Sequence, residues 1–309
     1  MHISLQETAQ LLIDGGVAAV PTETVYGLAA SIHCPQAIEQ IFALKGRPLD
    51  NPLIIHVADP KDVISFVTEF PPGFDVFTNH FWPGPLTIVL PIDPHNISSK
   101  IRAGLPTAAF RVPAHPLTQQ LLRLTGPLVM PSANLSGRPS STKPEHIEYD
   151  FGGFFPVLDG GPCSQGVEST IIIYQNDHWQ IIRLGAISFE ELNTLCPILL
   201  PEKLSSEKPL CPGQKYRHYS PKARLLPLDQ LTIGTQGVII GFTERNYPAN
   251  CRIIYLGSID QPQEVAENLY SCLRQLDEED IDFAWIDRDF PKNGVWRTLK
   301  ERINKAIHS

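Results

Sequence analysis

Short apolar runs separated by Gly and Pro recur through the first 200 residues. Leu53 to Val57, Leu86 to Leu90, Ala108 to Val112, Leu128 to Met130, Val157-Leu158, Ser169 to Ile173 and Ile181-Ile182 are rich in β-branched positions, which predicts strands. Val17 to Val20 predicts a further short buried strand. Ser4 with Glu7 forms a capping-box pattern, and Gly15-Gly16 closes the helix that it opens. Pro35 to Leu44 predicts a second helix, with Pro in its first turn and Gly46 at its end. Helical stretches follow near 60–69, 116–125 and 188–195. Strands and helices mix without a strict βαβ rhythm. The expected fold class is therefore α/β of α+β-like character, built on a twisted mixed or parallel sheet.

Residues 197–224 break the rhythm with Pro197, Pro201, Pro209, Pro212 and Pro221, and read as a linker. Beyond it, Gly237 to Phe242, Arg252 to Leu256 and Ile281 to Ile286 predict strands, and Pro262 to Leu276 and Val295 to Ile307 predict helices. The expected division is a larger domain over 1–200, a linker over 201–224 and a small Rossmann-like α/β domain over 225–309. The last carries no GxGxxG, so nucleotide binding by its own loop is not expected.

The chain has 309 residues, 42% hydrophobic and 19% charged, which suits a soluble globular protein of two domains. No apolar run reaches the roughly 18 residues of a membrane span, and no secretory leader pattern opens the chain, so a cytoplasmic location without membrane attachment is expected. Six cysteines form no CxxC pair, which points to reduced thiols and no protein-held metal. The first 200 residues hold ten Lys and Arg against eighteen Asp and Glu, so a broad nucleic-acid surface and stable nucleic-acid binding are disfavoured.

The few cations of that region fall in turns and at strand ends. Lys45 and Arg47 flank Gly46 beside Pro48, and Ser132 and Asn134 follow the apolar run ending at Met130. Cations on a stiff turn and small polar groups at a strand end suit an anionic ligand. Thr22, Glu23 and Thr24 either line a crevice after the first strand or cap a helix there. His56 is either a structural histidine or a ligand contact. Thr107, Ala109 and Arg111 share a strand face, so Arg111 pairs with an internal acid or faces a ligand carboxylate or phosphate. Ser132 to Ser140 has the shape of an anion nest, and Gly166 to Thr170 and Arg183 add further loops. With no GxSxG, no HExxH and no paired carboxylates, positioning and charge neutralisation suit the chain better than covalent catalysis.

Taken together these segments resemble the threonylcarbamoyl-AMP synthase family, whose catalytic unit is the YrdC-like domain. The matching stretches are PTETVYGLAA from Pro21, KGRPLDNPLIIHV from Lys45, WPGPLTIVL from Trp82, RVPAHP from Arg111, PSANLSGRPSSTK from Pro131, DGGPCSQGVEST from Asp159 and IRLGAI from Ile182. CPGQKYRHYSPKA from Cys211 is similar to the linker of the family's two-domain type. The resemblance implies a YrdC-like domain with a positively lined cavity. It implies that L-threonine, bicarbonate or CO2 and ATP give threonylcarbamoyl-AMP and diphosphate, the first step in modifying the tRNA adenosine at position 37. Mg²⁺ is expected on the triphosphate, held mainly by the nucleotide. The product is expected to pass to a threonylcarbamoyl transferase system.

The resemblance also implies site residues. Lys45 and Arg47 are the expected catalytic, phosphate-binding cations. Asn51, Thr107, Ser132, Asn134, Ser140, Arg183 and Tyr219 are the other expected ATP contacts, with Ser132, Asn134 and Ser140 as donors to nucleotide oxygens. Thr22, His56, Arg111, Met130 and Ser169 are expected around L-threonine. Tyr216 and Tyr219 of the linker are expected to fold over the cavity mouth. Two other readings compete: a hydrogenase-maturation-like carbamoyltransferase, opposed by the missing CxxC pairs, and an RNA-binding or ribosome-assembly module, opposed by the acidic charge.

Overall fold

The computed structural model describes residues 1–201, 211–212, 218–232 and 234–307. The first part runs α1 (Leu5–Ile13), β1 (Ala18–Val20), β2 (Gly27–Ser31), α2 (Pro35–Lys45), β3 (Ile54–His56), α3 (Phe74–Phe81), β4 (Leu86–Pro91), β5 (Thr107–Arg111), α4 (Pro116–Thr125), β6 (Leu128–Val129), α5 (Pro144–Phe151), β7 (Thr170–Gln175), β8 (His178–Arg183), α6 (Phe189–Leu195) and β9 (Ile198–Leu199). The second runs β10 (Arg224–Pro227), β11 (Gly237–Phe242), β12 (Cys251–Gly257), α7 (Pro262–Glu278), β13 (Phe283–Ile286) and α8 (Trp296–Ile307).

The larger sheet has the order β1-β2-β6-β3-β5-β4-β7-β8-β9. The pairs β3–β5, β4–β7 and β8–β9 are parallel and the others antiparallel, so the sheet is mixed as expected. The smaller sheet, β10-β13-β11-β12, is parallel throughout.

Local chemistry sets the ends of the elements that matter. The Ser4 hydroxyl and the Glu7 carboxylate cap α1 reciprocally. Gly46, at φ 59, ends α2 in the left-handed region and turns Arg47 away from the helix axis. His56 and Arg111 stand opposite each other on the parallel pair β3–β5, so both leave the sheet at the same end. Tyr26, Leu28, Ile41, Ile55, Phe77 and Phe110 belong to the main core of the larger sheet. The core of the second sheet includes Phe242, Leu269, Leu273 and Leu299, and it takes in Val25 and Val167 from the first part. The two units therefore share apolar packing.

Three expectations change. Residues after Thr24 form no helix: a turn leads straight into β2, whose register against β6 buries Leu28 and Ala30. Val157-Leu158 makes only isolated bridges, with Val157 facing His2 and Ala19. The stretch near 60–69 contracts to a 3₁₀ turn at Pro60–Ser65. Helices α3 and α5 were not expected: each is only eight residues long and starts without a side-chain cap, so neither a sustained periodicity nor a capping signal marks it. Strand β10 lies at a sheet edge, where Pro227 is tolerated. Among the described residues no helix is long and apolar enough to cross a membrane, and the six cysteines are free thiols.

Candidate active site

A cleft opens where β3, β5 and β8 end. Arg47, His56, Arg111, Arg138 and Arg183 line it, with Thr24, Met130, Ser132, Asn134, Ser140, Glu168, Ser169, His218 and Tyr219. Four guanidinium groups thus converge in a chain whose net charge is −8.

Three of the four cations are held by hydrogen bonds that fix their direction, while Arg138 stands 3.9 Å from both Asp150 and Asp277. Arg47 donates from Nε to the Asn51 carbonyl (3.2 Å) and from Nη2 to that of Pro52 (2.8 Å). Burial and the neighbouring Arg183 push it down to about 9, with Asp50 countering in part. It stays charged at neutral pH, and a bound anion relieves its environment. Arg183 donates to the Ser169 carbonyl (2.8 Å) and hydroxyl (2.9 Å). Thr87 completes that cluster through the Ser169 hydroxyl at 2.8 Å. Gly185 allows it: a Cβ there would stand 2.3 Å from the backbone of Ser169 and Thr170.

Arg111 resolves the alternative left open by sequence. It pairs with Glu23 at 2.5 Å and donates to the Thr24 hydroxyl (2.9 Å) and the Gly84 carbonyl (3.1 Å). Those three bonds leave one N–H on each terminal nitrogen of a five-donor guanidinium. His56 is buried beside it, and burial together with Arg111 pushes its imidazole well below the usual range. A neutral His56 therefore faces the cleft at neutral pH.

Four expected contacts do not line the cleft. Lys45 lies beneath the Ser132–Asn134 loop, donating to both of their carbonyls, at 2.6 Å in the case of Asn134. Burial and Arg47 push its amine well below the ordinary lysine value. Thr22 organises the turn, receiving the Thr24 and Val25 amides at 3.2 Å each. Asn51 gives its carbonyl to Arg47, and Thr107 opens β5 opposite Pro91.

Two expected donors are turned round. Asn134 Nδ2 donates to the carbonyls of Leu135 (2.7 Å) and Arg138 (3.1 Å), which leaves Oδ1 buried without a partner. The Ser140 hydroxyl donates to Glu168 at 2.6 Å. Both residues therefore present acceptors to a ligand. Burial alone would raise the Glu168 carboxyl, but Arg302, Arg183 and Ser140 outweigh it and hold it down at about 2.

Sequence reasoning placed Thr24 at a crevice and named the loops, but did not single out Arg138, Glu168 or His218. Glu168 and Arg138 sat inside stretches already singled out, where a lone charge beside Gly and Ser was the available signal. His218 leaves Nε2 without a hydrogen-bond partner, and burial with Lys305 and Arg47 pushes it down to about 3. Tyr216 lies outside the described residues.

Comparison with known proteins is decisive here. Residues 10–185 match the family described as Telomere recombination (Sua5, YciO, YrdC), and residues 187–307 match the Threonylcarbamoyl-AMP synthase C-terminal domain. A Bacillus subtilis threonylcarbamoyl-AMP synthase is 38% identical over 98% of this chain and 92% of its own length. The chain belongs to the threonylcarbamoyl-AMP synthase family. A Pyrococcus abyssi threonylcarbamoyl-AMP synthase is 35% identical over 96% of this chain and 92% of its own. The crystal structure of P. abyssi Sua5 complexed with L-threonine superposes with a TM-score of 0.89 at 31% identity, covering 100% of this chain and 98% of that one. In this family member most of the cleft wall falls in the first matched region, while His218 and Tyr219 come from the second.

Proposed function

We infer that this chain is an L-threonylcarbamoyladenylate synthase, a nucleotidyltransferase acting in the first step of threonylcarbamoyl modification of tRNA adenosine 37. The convergence of Arg47, Arg111, Arg138 and Arg183 on one cleft carries the reading, because the reaction brings a carboxylate, a carbamate and a triphosphate together.

The threonine amine forms an N–C bond to CO2 and releases a proton, giving a carbamate. A carbamate oxygen attacks the α-phosphorus. The bond to the bridging oxygen breaks, and pyrophosphate leaves with the electron pair. Arg111, with His56, Ser169 and Met130, suits the amino acid: its remaining N–H bonds suit a carboxylate, and the neutral His56 neither repels nor neutralises an incoming amine. Arg47 and Arg183 suit the phosphates, with Ser132 beside them. Asn134 Oδ1 and the Ser140 oxygen accept from nucleotide hydroxyl or amine groups. Lys45 acts from beneath, holding the loop that carries Ser132 and Asn134. Thr22 shapes the turn beside the amino acid, and the Asn51 carbonyl holds Arg47.

Pro212, His218 and Tyr219 complete the cleft wall, which suits a linker or lid over residues 201–224 between domains at 1–200 and 225–309. Mg²⁺ would be held mainly by the triphosphate, where it would neutralise phosphate charge. Among the described residues no group of three His, Cys, Asp or Glu is placed to hold a metal. We place the enzyme in the cytoplasm, passing its labile product to a transferase system without stable nucleic-acid binding of its own.

The test is pyrophosphate release with ATP, Mg²⁺ and bicarbonate, with and without L-threonine. Threonine-dependent release, lost with serine, is expected. A folded protein that binds ATP yet shows no threonine-dependent release overturns the reading.

A further inference from the structure

Helices α7 and α8 of the second unit reach into the cleft wall. Arg302 is fully buried, and its Nε donates to Glu168 (3.0 Å) while Nη2 donates to the Leu184 carbonyl (2.7 Å). Tyr270 donates its hydroxyl to the same Glu168, at 2.8 Å from Oε2. Glu168 in turn fixes the Ser140 hydroxyl at 2.6 Å. Arg274 of α7 donates to the Pro139 carbonyl (2.6 Å) and pairs with Asp150 (2.8 Å), so it pins the loop that carries Ser140. Gly166 permits the approach, since a Cβ there would stand 2.2 Å from the Ala266 carbonyl oxygen of α7.

The same two residues touch a second wall. Tyr219 stacks on Tyr270 at 5.4 Å with planes 18° apart, and the Arg302 guanidinium carbon lies 4.8 Å from the Tyr219 ring centroid. Tyr219 holds φ 66, a backbone state that a non-glycine residue adopts only when its surroundings fix it. A buried ion pair is no better for stability than well-packed apolar side chains. Its partners here are the residues that shape the cleft, which marks its role as geometric.

We propose that Tyr270 and Arg302 are positioning residues for the nucleotide side of the cleft, setting Ser140 through Glu168 and holding Tyr219 by ring contact. The second unit thereby completes the synthase site. This rests on the function inferred above. Glu168 stays ionised throughout the working pH range, so the Ser140 proton always points to it and its lone pairs always face the cleft. Neither positioning residue touches Arg111 or His56, so the effect is confined to one substrate.

Tyr270→Phe keeps the ring and removes the hydroxyl. Steady-state kinetics and ATP calorimetry on the full chain compare the wild type with Tyr270→Phe, Ser140→Ala and the double variant. The KM and Kd for ATP are expected to rise about ten-fold in Tyr270→Phe. The KM for L-threonine stays within about two-fold, and the melting temperature within a few degrees. In the Ser140→Ala background the Tyr270→Phe effect shrinks below about two-fold, because both act on one path. Arg302→Lys, which keeps the charge but loses the flat fork, shows the same selective rise. Equal rises in both KM values, unchanged ATP affinity, or a full ten-fold effect in the Ser140→Ala background would each overturn the proposal. A wild type without threonine-dependent release breaks the functional reading instead, while the ATP calorimetry still decides the positioning.

Discussion

Each sheet carries a cluster of charge at its strand ends, and the two clusters are resolved in opposite ways. Beyond β11 and β13, Arg245 lies against both oxygens of the buried Asp287, at 2.9 and 2.8 Å, and also pairs with Asp289. Tyr247 donates to Asp287 as well. Burial would lower Arg245, but the carboxylates outweigh it and raise it above the ordinary value. In the cleft, Arg47 is held by carbonyls among other cations, and burial with Arg183 pushes it down to about 9. The first cluster is closed without a ligand; in the second Arg111 is paired with Glu23, while Arg47 and Arg183 are held by neutral groups and carry charge that an anion neutralises. Counting arginines in the sequence does not separate them; how completely each is paired does.

Substituting the two arginines breaks the comparison most directly. Arg245→Ala leaves Asp287 buried without its cation, so urea unfolding is expected to lose about 1–3 kcal/mol while activity per folded molecule stays within about two-fold. Arg47→Ala is expected to do the reverse. Single-turnover pyrophosphate release falls by about 10²–10³-fold, or roughly 2.7–4 kcal/mol, as for loss of a donor to developing charge. Its stability changes little, because the lost carbonyl contacts are offset by removal of a desolvated charge. Equal stability losses in both variants would erase the distinction.

Ligand-dependent melting sharpens the same contrast. ATP with Mg²⁺ at about a hundred times its Kd is expected to stabilise the wild type by about 2.7 kcal/mol. Arg245→Ala shows the same shift from a lower baseline, and Arg47→Ala less than half of it. An undiminished shift in Arg47→Ala would put the anion somewhere other than beside Arg47.

The legible part of this molecule was the part with local causes. The capped helix α1, the Gly46-terminated α2 and the strands β4, β5 and β7 follow from periodicity and punctuation. The membership of Arg47, His56, Arg111, Ser132 and Arg183 in one cleft came from the family resemblance, since the residues alone left His56 and Arg111 open between structural and ligand roles. Helices α3 and α5 escaped because eight residues without a side-chain cap carry too little periodicity and no capping signal. Donor direction escaped as well. Whether Ser140 and Asn134 donate or accept is set by Glu168 and by the carbonyls of Leu135 and Arg138, which only the fold brings within reach. Lys45 sat in the right motif but one layer too deep, because the end of α2 directs it under the loop rather than into the opening.

Acid stability gives the finest version of the contrast, through two histidines. His146, buried near Arg274 and Lys143, and His218, buried near Lys305 and Arg47, are both pushed down to about 3, by burial first and by those cations second. Below about pH 6.5 each takes up a proton in the unfolded chain but not in the folded one. The stabilisation is therefore complete above that pH and declines as pH falls, by about 1.4 kcal/mol for each histidine at pH 5.5. Urea unfolding between pH 7.5 and 5.5 is expected to show this loss, and His146→Gln should reduce it by about 1.4 kcal/mol with or without ATP. ATP acts on the other histidine, because the triphosphate beside Arg47 cancels repulsion on His218 and raises its folded pKa. Saturating ATP should thus recover part of the acid loss, and the recovery should be the same size in His146→Gln. An acid loss indifferent to ATP would mean that bound nucleotide leaves the charge around His218 unchanged, and the cleft would then be as closed as the Arg245 cluster.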